Sequence, residues 1–495
     1  MAKYIRANAW NKGGTFDNTD LLWYAKGVGE LQKRPLDNKF SWWFFAAIHG
    51  VDINGWGQVP APPRVPTTPL PPPNVSKLFW AQCQHQTWYF PPWHRGYLLA
   101  LEASIRAAVV ELKGPATWAL PYWNYFGGGN ESKLPPAFTQ KTLPGGSTPN
   151  PLYVAARHGS GADLNRINQK CLSNTVYQGN NPQTPPPGFG GPITNFSHYG
   201  ATSGNLEANP HNLVHTEVGG RGGLMSDPDY AALDPIFYLH HANIDRMWAV
   251  WNQKHPNPND PWLKGPTDRK FVMPMPDKDW QYTPGDVDSL SKLDYTYDNL
   301  PAPPAVNLLA QRLTRLGAID AASKVAEGGP VISGENIELV GANQQPLPIK
   351  GSGVSTTVRL DPGVRHKVTA SLARASETAA PDRVFLNLEN VRGVQDATVL
   401  DVYINLPEGA KPSDHPELFA GSVSLFGLRK ASLKDEKHGG EGLNLVLDIT
   451  DVVDALHLKN ALNADSLNVR IVPANEVRDE DQITVGRVSI YRHGR

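Results

Sequence analysis

The stretch DPIFYLHHANIDRMWAVWNQKH, residues 234–255, sets the strongest constraint on how this chain folds. Its spacing is helical, with Asp234 and Pro235 forming a helix-start pair. Its surface is Phe, Tyr, Leu, Ile, Met and Trp, yet it carries His240 and His241 side by side. A buried imidazole needs a partner. Three other stretches pose the same demand. SWWFFAAIHG (41–50) ends in His49. CQHQTWYFPPWHRG (83–96) holds His85 and His94, the second in the first turn of a helix opened by Pro91 and Pro92. NPHNLVHTEVGG holds His211 and His215 at i, i+4, which puts both rings on one helix face.

Taken singly, each of these reads as a core histidine bonded to backbone. Taken together they form two sets of three, His49/His85/His94 and His211/His215/His241. Adjacent helical residues lie about 100° apart, so only one of His240 and His241 joins the second set. Three imidazoles with an open position make a catalytic metal arrangement, and two such sets facing each other make a two-metal site. Imidazole suits zinc, copper, iron or nickel. The lack of carboxylates among the ligands speaks against magnesium, calcium or manganese. Asp245, i+4 from His241, is a candidate to orient an imidazole from behind.

The hydrophobic period divides the chain into three zones. Residues 1–300 contain all 14 tryptophans and helical patterns separated by long proline-rich loops such as VPAPPRVPTTPLPPP. Residues 301–345 read as a linker with one short amphipathic helix marked by Val306, Leu309, Leu313 and Leu316. From 346 to 495 the period becomes two. STTVRL, HKVTASL, RVFLNL, TVLDVYINL, GSVSLFGL, LNLVLDI, SLNVRIVP and ITVGRVSIYR predict roughly eight short strands in an antiparallel sandwich or barrel.

Composition narrows the function. A net charge of −1 without basic runs argues against nucleic acid as a partner. No run of 18 apolar residues is present to span a membrane. The first residues lack the apolar stretch of a signal peptide, so the expectation is a cytosolic chain, with export after removal of a leader left open. Two cysteines, Cys83 and Cys171, exclude a disulfide scaffold but allow one bridge.

The motifs IHG, C-x-H followed by WYFPPWHR, HNLVH and DPIFYLHHANIDRMW resemble those of tyrosinases and polyphenol oxidases, the type 3 copper family. DVYINLP, FAGSVSLFG and ITVGRVSIY are similar to the C-terminal domain of the plant enzymes. The resemblance implies a mainly α catalytic domain over 1–300, a helical bundle around a binuclear copper site, followed by an antiparallel β-sandwich. It implies two copper ions, one on His49, His85 and His94 and the other on His211, His215 and His241. Cys83 matches a cysteine that forms a thioether to the histidine two residues later, here His85. Glu207 and Asn212 resemble a pair that holds and polarises a water near the second copper; a helix-start acid is the plainer alternative for Glu207. Arg6 with Tyr295 and Tyr297 resembles a clasp closing the domain. Two N-terminal disulfides of the plant enzymes are absent. The position of a phenylalanine that often covers the second copper falls near Pro228. Pro228, Phe237 and Asp245 are therefore the candidates for gate or supporting roles, and Leu425 or Phe426 for an apolar plug from the C-terminal domain. The implied activity is ortho-hydroxylation of monophenols and oxidation of ortho-diphenols to ortho-quinones with O2. The alternatives are a haemocyanin-like oxygen carrier and, further off, a dinuclear zinc hydrolase.

Overall fold

The structure is a computed structural model that describes residues 2–197, 201–303, 308–326, 336–378, 381–394, 398–434, 439–462 and 465–494. Five helices carry the first part: Thr19–Gln32, Trp42–His49, Phe90–Glu111, Leu213–Gly219 and Ile236–Trp251. Local chemistry marks the start of two of them. The Ser41 side chain accepts from the Phe44 N–H, and Pro91 and Pro92 open the long Phe90–Glu111 helix. Gly27 lets that helix lie close against Thr19–Gln32, since a Cβ there would sit 2.6 Å from Ile105 Cγ2.

Ile236–Trp251 is the axis of the bundle, with all 16 of its residues buried. It begins one residue later than the Asp234–Pro235 pair suggests. Asp234 still serves the start, because its carboxylate accepts from the Ile236 N–H at 3.0 Å while pairing with Arg157 at 2.5 Å.

Asp245 departs from its expected role. One carboxylate oxygen takes Arg95 at 2.5 Å; the other takes Arg6 at 3.2 Å and the hydroxyls of Tyr295 and Tyr297, each at 2.5 Å. With both oxygens used, it orients arginines rather than an imidazole. The Arg6 guanidinium also pairs with Glu102 and lies 3.8 Å from the Tyr295 ring centroid. Strand Tyr4–Arg6 runs parallel to Tyr295–Tyr297, so this buried network ties the start of the domain to its end through two helices.

The C-terminal part is built on one eight-stranded sheet, with a small two-stranded pair of Leu347–Pro348 and Thr484–Val485, rather than on two large stacked sheets. Its order is 419–424, 399–404, 466–473, 354–360, 336–342, 487–494, 383–391 and 443–448, and the pairings are antiparallel. The sheet curls until its two edge strands approach: a Cβ on Gly421 would lie 3.0 Å from Leu447. The result is a nearly closed barrel rather than the expected sandwich.

Three local readings change. HKVTASL is part of the helix Pro362–Ala373, because the Asp361 side chain caps the Val364 N–H ahead of Pro362. Its Val368 and Leu372 are buried at i, i+4, a spacing that also satisfies a period of two. The sheet starts earlier than 346, at the strand Asn336–Ala342. The 301–345 segment holds two helices, Leu308–Arg315 and Ile319–Ala326, where one was expected. Arg312 is buried there, bonded to both oxygens of Asp454 at 2.8 and 2.9 Å, so the first of these helices is pinned to the sheet domain. Val306 and residues 327–335 lie outside the described residues. Among the described residues, no helix is long and apolar enough to cross a membrane.

Removing one partner from a buried ion network leaves the others uncompensated, at about 3–5 kcal/mol. Asp245→Ala is therefore expected to destabilise the helical domain by about that amount. Urea unfolding followed by tryptophan fluorescence reads this domain selectively, since all 14 tryptophans precede residue 300. A loss below about 1 kcal/mol would show that Asp245 is not the hub.

Candidate metal centre

Six imidazoles from four segments meet in the bundle core. In four of them Nδ1 is already engaged. His49 bonds the Pro228 carbonyl at 2.9 Å, His94 the Phe90 carbonyl at 2.8 Å, and His215 the Met225 carbonyl at 2.8 Å. His211 bonds Asn212 Oδ1 at 2.7 Å. These oxygens only accept, so each Nδ1 carries the proton and each Nε2 keeps its lone pair.

The Nε2 atoms then face one another. His241 Nε2 lies 3.3 Å from both His211 Nε2 and His215 Nε2. Lone pairs that close repel unless a cation lies between them. Metal–nitrogen bonds of about 2.0–2.1 Å in tetrahedral array set nitrogen spacings of about 3.3–3.4 Å. The Nε2 atoms of His49 and His94 are buried with no hydrogen-bond partner among the described residues. Donor atoms of His49, Cys83 and His85 lie within 4.8 Å of one another, as do those of His211, His215, His240 and His241. His94 joins the first set, its ring 5.4 Å from His85 and 5.7 Å from His49 between centroids. It also stacks on His241 at 4.4 Å, which joins the two sets. These residues fit a pair of imidazole-bound metals. His240 is in reach of the second set, but its ring also stands against Tyr125, and the short Nε2 contacts belong to His241.

Burial tunes the rings for ligation. It pushes His94 and His215 down to about 3. His49, His85, His211 and His241 are held well below the ordinary imidazole range, by burial first and by neighbouring imidazoles second. All six are therefore neutral at pH 7, the form that binds metal.

The neighbouring residues take different places from those the sequence suggested. Pro228 holds His49 through its carbonyl, and Gly50 exists for that contact: a Cβ there would lie 2.4 Å from the Pro228 oxygen. Phe237 is a wall, not a gate, fully buried with its ring 4.2 Å from His241 and 4.8 Å from His49. Cys83 Sγ stands 3.6 Å from His85 Nδ1, and neither cysteine is in a disulfide, so the bridge to Cys171 is not made. Glu207 is buried, and both its oxygens face the Gln86 N–H at 3.0 and 2.9 Å. Desolvation pushes its carboxyl up to about 8 against the pull of that N–H. Asn212 supports His211 and lies 3.4 Å from the Ser203 hydroxyl.

The sheet domain closes the open side. Phe426 stacks on His215 at 4.2 Å and stands 5.6 Å from His85. Leu425, the other candidate, is buried inside the barrel. The Ser424 hydroxyl donates to the Asn212 carbonyl at 2.8 Å and bonds Thr216 at 2.6 Å. Sequence reasoning missed this serine, Phe90 between His94 and His211, and the cations Arg429 and Lys430. The last two directly follow the stretch GSVSLFGL and carried no signal of their own.

The family model for the common central domain of tyrosinase matches residues 39–254. A tyrosinase of Hahella sp. is 30% identical over 487 residues, covering 95% of this chain and 96% of that protein. The chain belongs to the tyrosinase family. A second model, described as a domain of unknown function, matches residues 336–493. The solved structure of latent apple tyrosinase shares the fold across 100% of this chain and 98% of its own, with a TM-score of 0.62 at 20% identity. A haemocyanin of Enteroctopus dofleini is 32% identical over 34% of this chain and 6% of its own length. Tyrosinases and polyphenol oxidases are binuclear type 3 copper oxidoreductases acting on phenols, and this is the class of chemistry to which the chain belongs.

Because Gly50 admits the carbonyl that fixes His49, Gly50→Ala is expected to lower copper from two per chain toward one. Metal analysis of the folded variant checks this. Undiminished copper would show that the Pro228 contact is dispensable.

Proposed function

We propose that the chain ortho-hydroxylates monophenols and oxidises ortho-diphenols to ortho-quinones, with one copper on His49, His85 and His94 and the other on His211, His215 and His241. The observation that carries this reading is the convergence of Nε2 lone pairs at 3.3 Å, each ring but His241 in that second set being locked by a bond at Nδ1. Copper supplies the binding and reduction of O2.

The chain's own residues prepare the phenol. Phe90 and Phe237 hold the rings apart and keep bulk water out of the centre. A phenol binds a metal as phenolate, and its ordinary pKa is near 10. Glu207, beside the backbone of Gln86 next to His85, receives that proton through a water in its ionised form, whose share grows as the pH rises toward about 8. Asn212 keeps His211 in the tautomer that presents Nε2. Cys83 is placed for a thioether to His85, which would fix the one ligand that comes from a loop rather than a helix.

Phe426 occupies the face of His215 that an incoming phenol needs, so the uncut chain is latent. The full-length domain match supports an enzyme over the oxygen carrier, whose resemblance spans a third of the chain. Copper-loaded Phe426→Ala protein, with the phenol face open, should form quinone catalytically from methylcatechol under air. Stoichiometric, reversible O2 uptake without quinone would favour the carrier.

Two variants divide the roles. Glu207→Gln should reduce monophenol hydroxylation at least about tenfold more than diphenol oxidation, as loss of a positioned base predicts. Equal losses would remove its proton role. Phe426→Ala should raise diphenol kcat/KM about tenfold or more at unchanged copper content, because the stacked ring no longer competes. Unchanged turnover would show that Phe426 does not guard the site.

A further inference from the structure

The cover contains more than an aromatic ring. Immediately after Phe426, the turn continues through Gly427, Leu428, Arg429 and Lys430. Gly427 adopts a left-handed φ of 82°, and a Cβ there would lie 3.5 Å from Pro228 Cγ. Arg429 pairs with Asp227 at 2.7 Å and with Asp229 at 3.1 Å; Lys430 pairs with Asp229 at 2.5 Å. These two aspartates flank Pro228, whose carbonyl holds His49. The Asp229 carboxylate stands beside Gly50, since a Cβ on that glycine would be 2.9 Å from Oδ1. Asp52, bonded to the Tyr230 hydroxyl at 2.7 Å, feels the Arg429 charge as well. The turn therefore lays an aromatic ring on a histidine of the centre and two cations on a cluster of carboxylates beside it.

All of these side chains are partly or fully buried while the turn is docked. Asp227 and Asp229 expose only 16% and 11% of their side chains. Once the turn leaves, two carboxylates, with Asp52 behind them, are left without their cations next to the place Phe426 vacated. A carboxylate pair in a partly desolvated rim attracts a cation and repels an anion more strongly than it would in water.

We infer that Asp227 and Asp229, neutralised by Arg429 and Lys430 while the turn is docked, make the uncovered site selective for phenols bearing a basic amine over those bearing a carboxylate. This rests on the phenol-oxidase reading and adds a substrate class to it. Phe426 stands where the phenol ring binds; Arg429 and Lys430 stand where the substrate ammonium binds. The acids act on substrate charge and not on the oxidation itself, so their effect is a ratio between substrates.

The test compares dopamine, methylcatechol and dihydroxyphenylpropionate, which are cationic, neutral and anionic at pH 7, on full-length copper-loaded protein. Phe426→Ala alone opens the ring position and leaves Arg429 and Lys430 to neutralise the acids. Adding Arg429→Gln and Lys430→Gln unmasks them. The kcat/KM ratio of dopamine to dihydroxyphenylpropionate is expected to rise about tenfold on unmasking, with methylcatechol between. Asp227→Asn with Asp229→Asn in that background should return the ratio to its starting value, and added salt should compress it. Comparing substrates within one variant cancels any loss of folded or copper-loaded enzyme. Oxidation of all three diphenols with a ratio indifferent to unmasking or to the asparagines would overturn this inference alone. Failure of every variant to oxidise methylcatechol would overturn the phenol-oxidase reading and the inference with it.

Discussion

The structure depends on where the proton of each buried imidazole sits. Three backbone carbonyls and one asparagine take the Nδ1–H of His49, His94, His215 and His211. That choice leaves the Nε2 lone pair of each of these four rings free to face the centre. Buried lone pairs facing each other at 3.3 Å are unfavourable without a cation, so the bundle core is built for metal and not merely tolerant of it. The Pro228 and Met225 carbonyls come from the connection between two helices, the second from its short 3-10 turn Leu224–Ser226. This is why a loop of seemingly arbitrary composition has to follow one path.

That demand propagates outward. Ile236–Trp251 carries His241 and must be buried all round, which puts Asp245 and Arg246 in the interior too. A buried carboxylate needs cations and donors. Arg6, Arg95, Tyr295 and Tyr297 supply them, and in doing so clamp the domain ends together. The barrel domain answers a second demand, covering an apolar opening above His215. Its contact is both apolar, through Phe426, and polar, through Ser424 on the Asn212 carbonyl and the Arg166–Asp401 and Arg221–Asp481 pairs at 2.9 and 2.6 Å. Both pairs are partly buried, so salt screens them less than it would fully exposed ones.

The readings that changed share one feature: two local patterns fitted the same residues. HKVTASL alternates like a strand, but its flanking Asp361–Pro362 cap decided for a helix. Asp245 sits one turn from His241, yet the stronger charge of two buried arginines claimed it. Leu425 and Phe426 follow the strand Phe419–Ser424, and the turn there sends the first into the barrel and the second onto His215.

By itself the sequence offered six histidines that could ligate a metal, because imidazoles gathered on apolar segments need partners. It also determined that a helical part precedes a strand-rich one, since hydrophobic period is a local property. What only the tertiary structure decided is how those pieces meet. Whether eight strands stack as two sheets or curl into one depends on long-range register, as at Gly421 against Leu447. Which carbonyl receives the Nδ1 of His49 and of His215, and which cations rest on Asp227 and Asp229, depends on contacts 10 to more than 200 residues apart in the chain. Such contacts are set by packing of the whole domain, and no short window of sequence contains them.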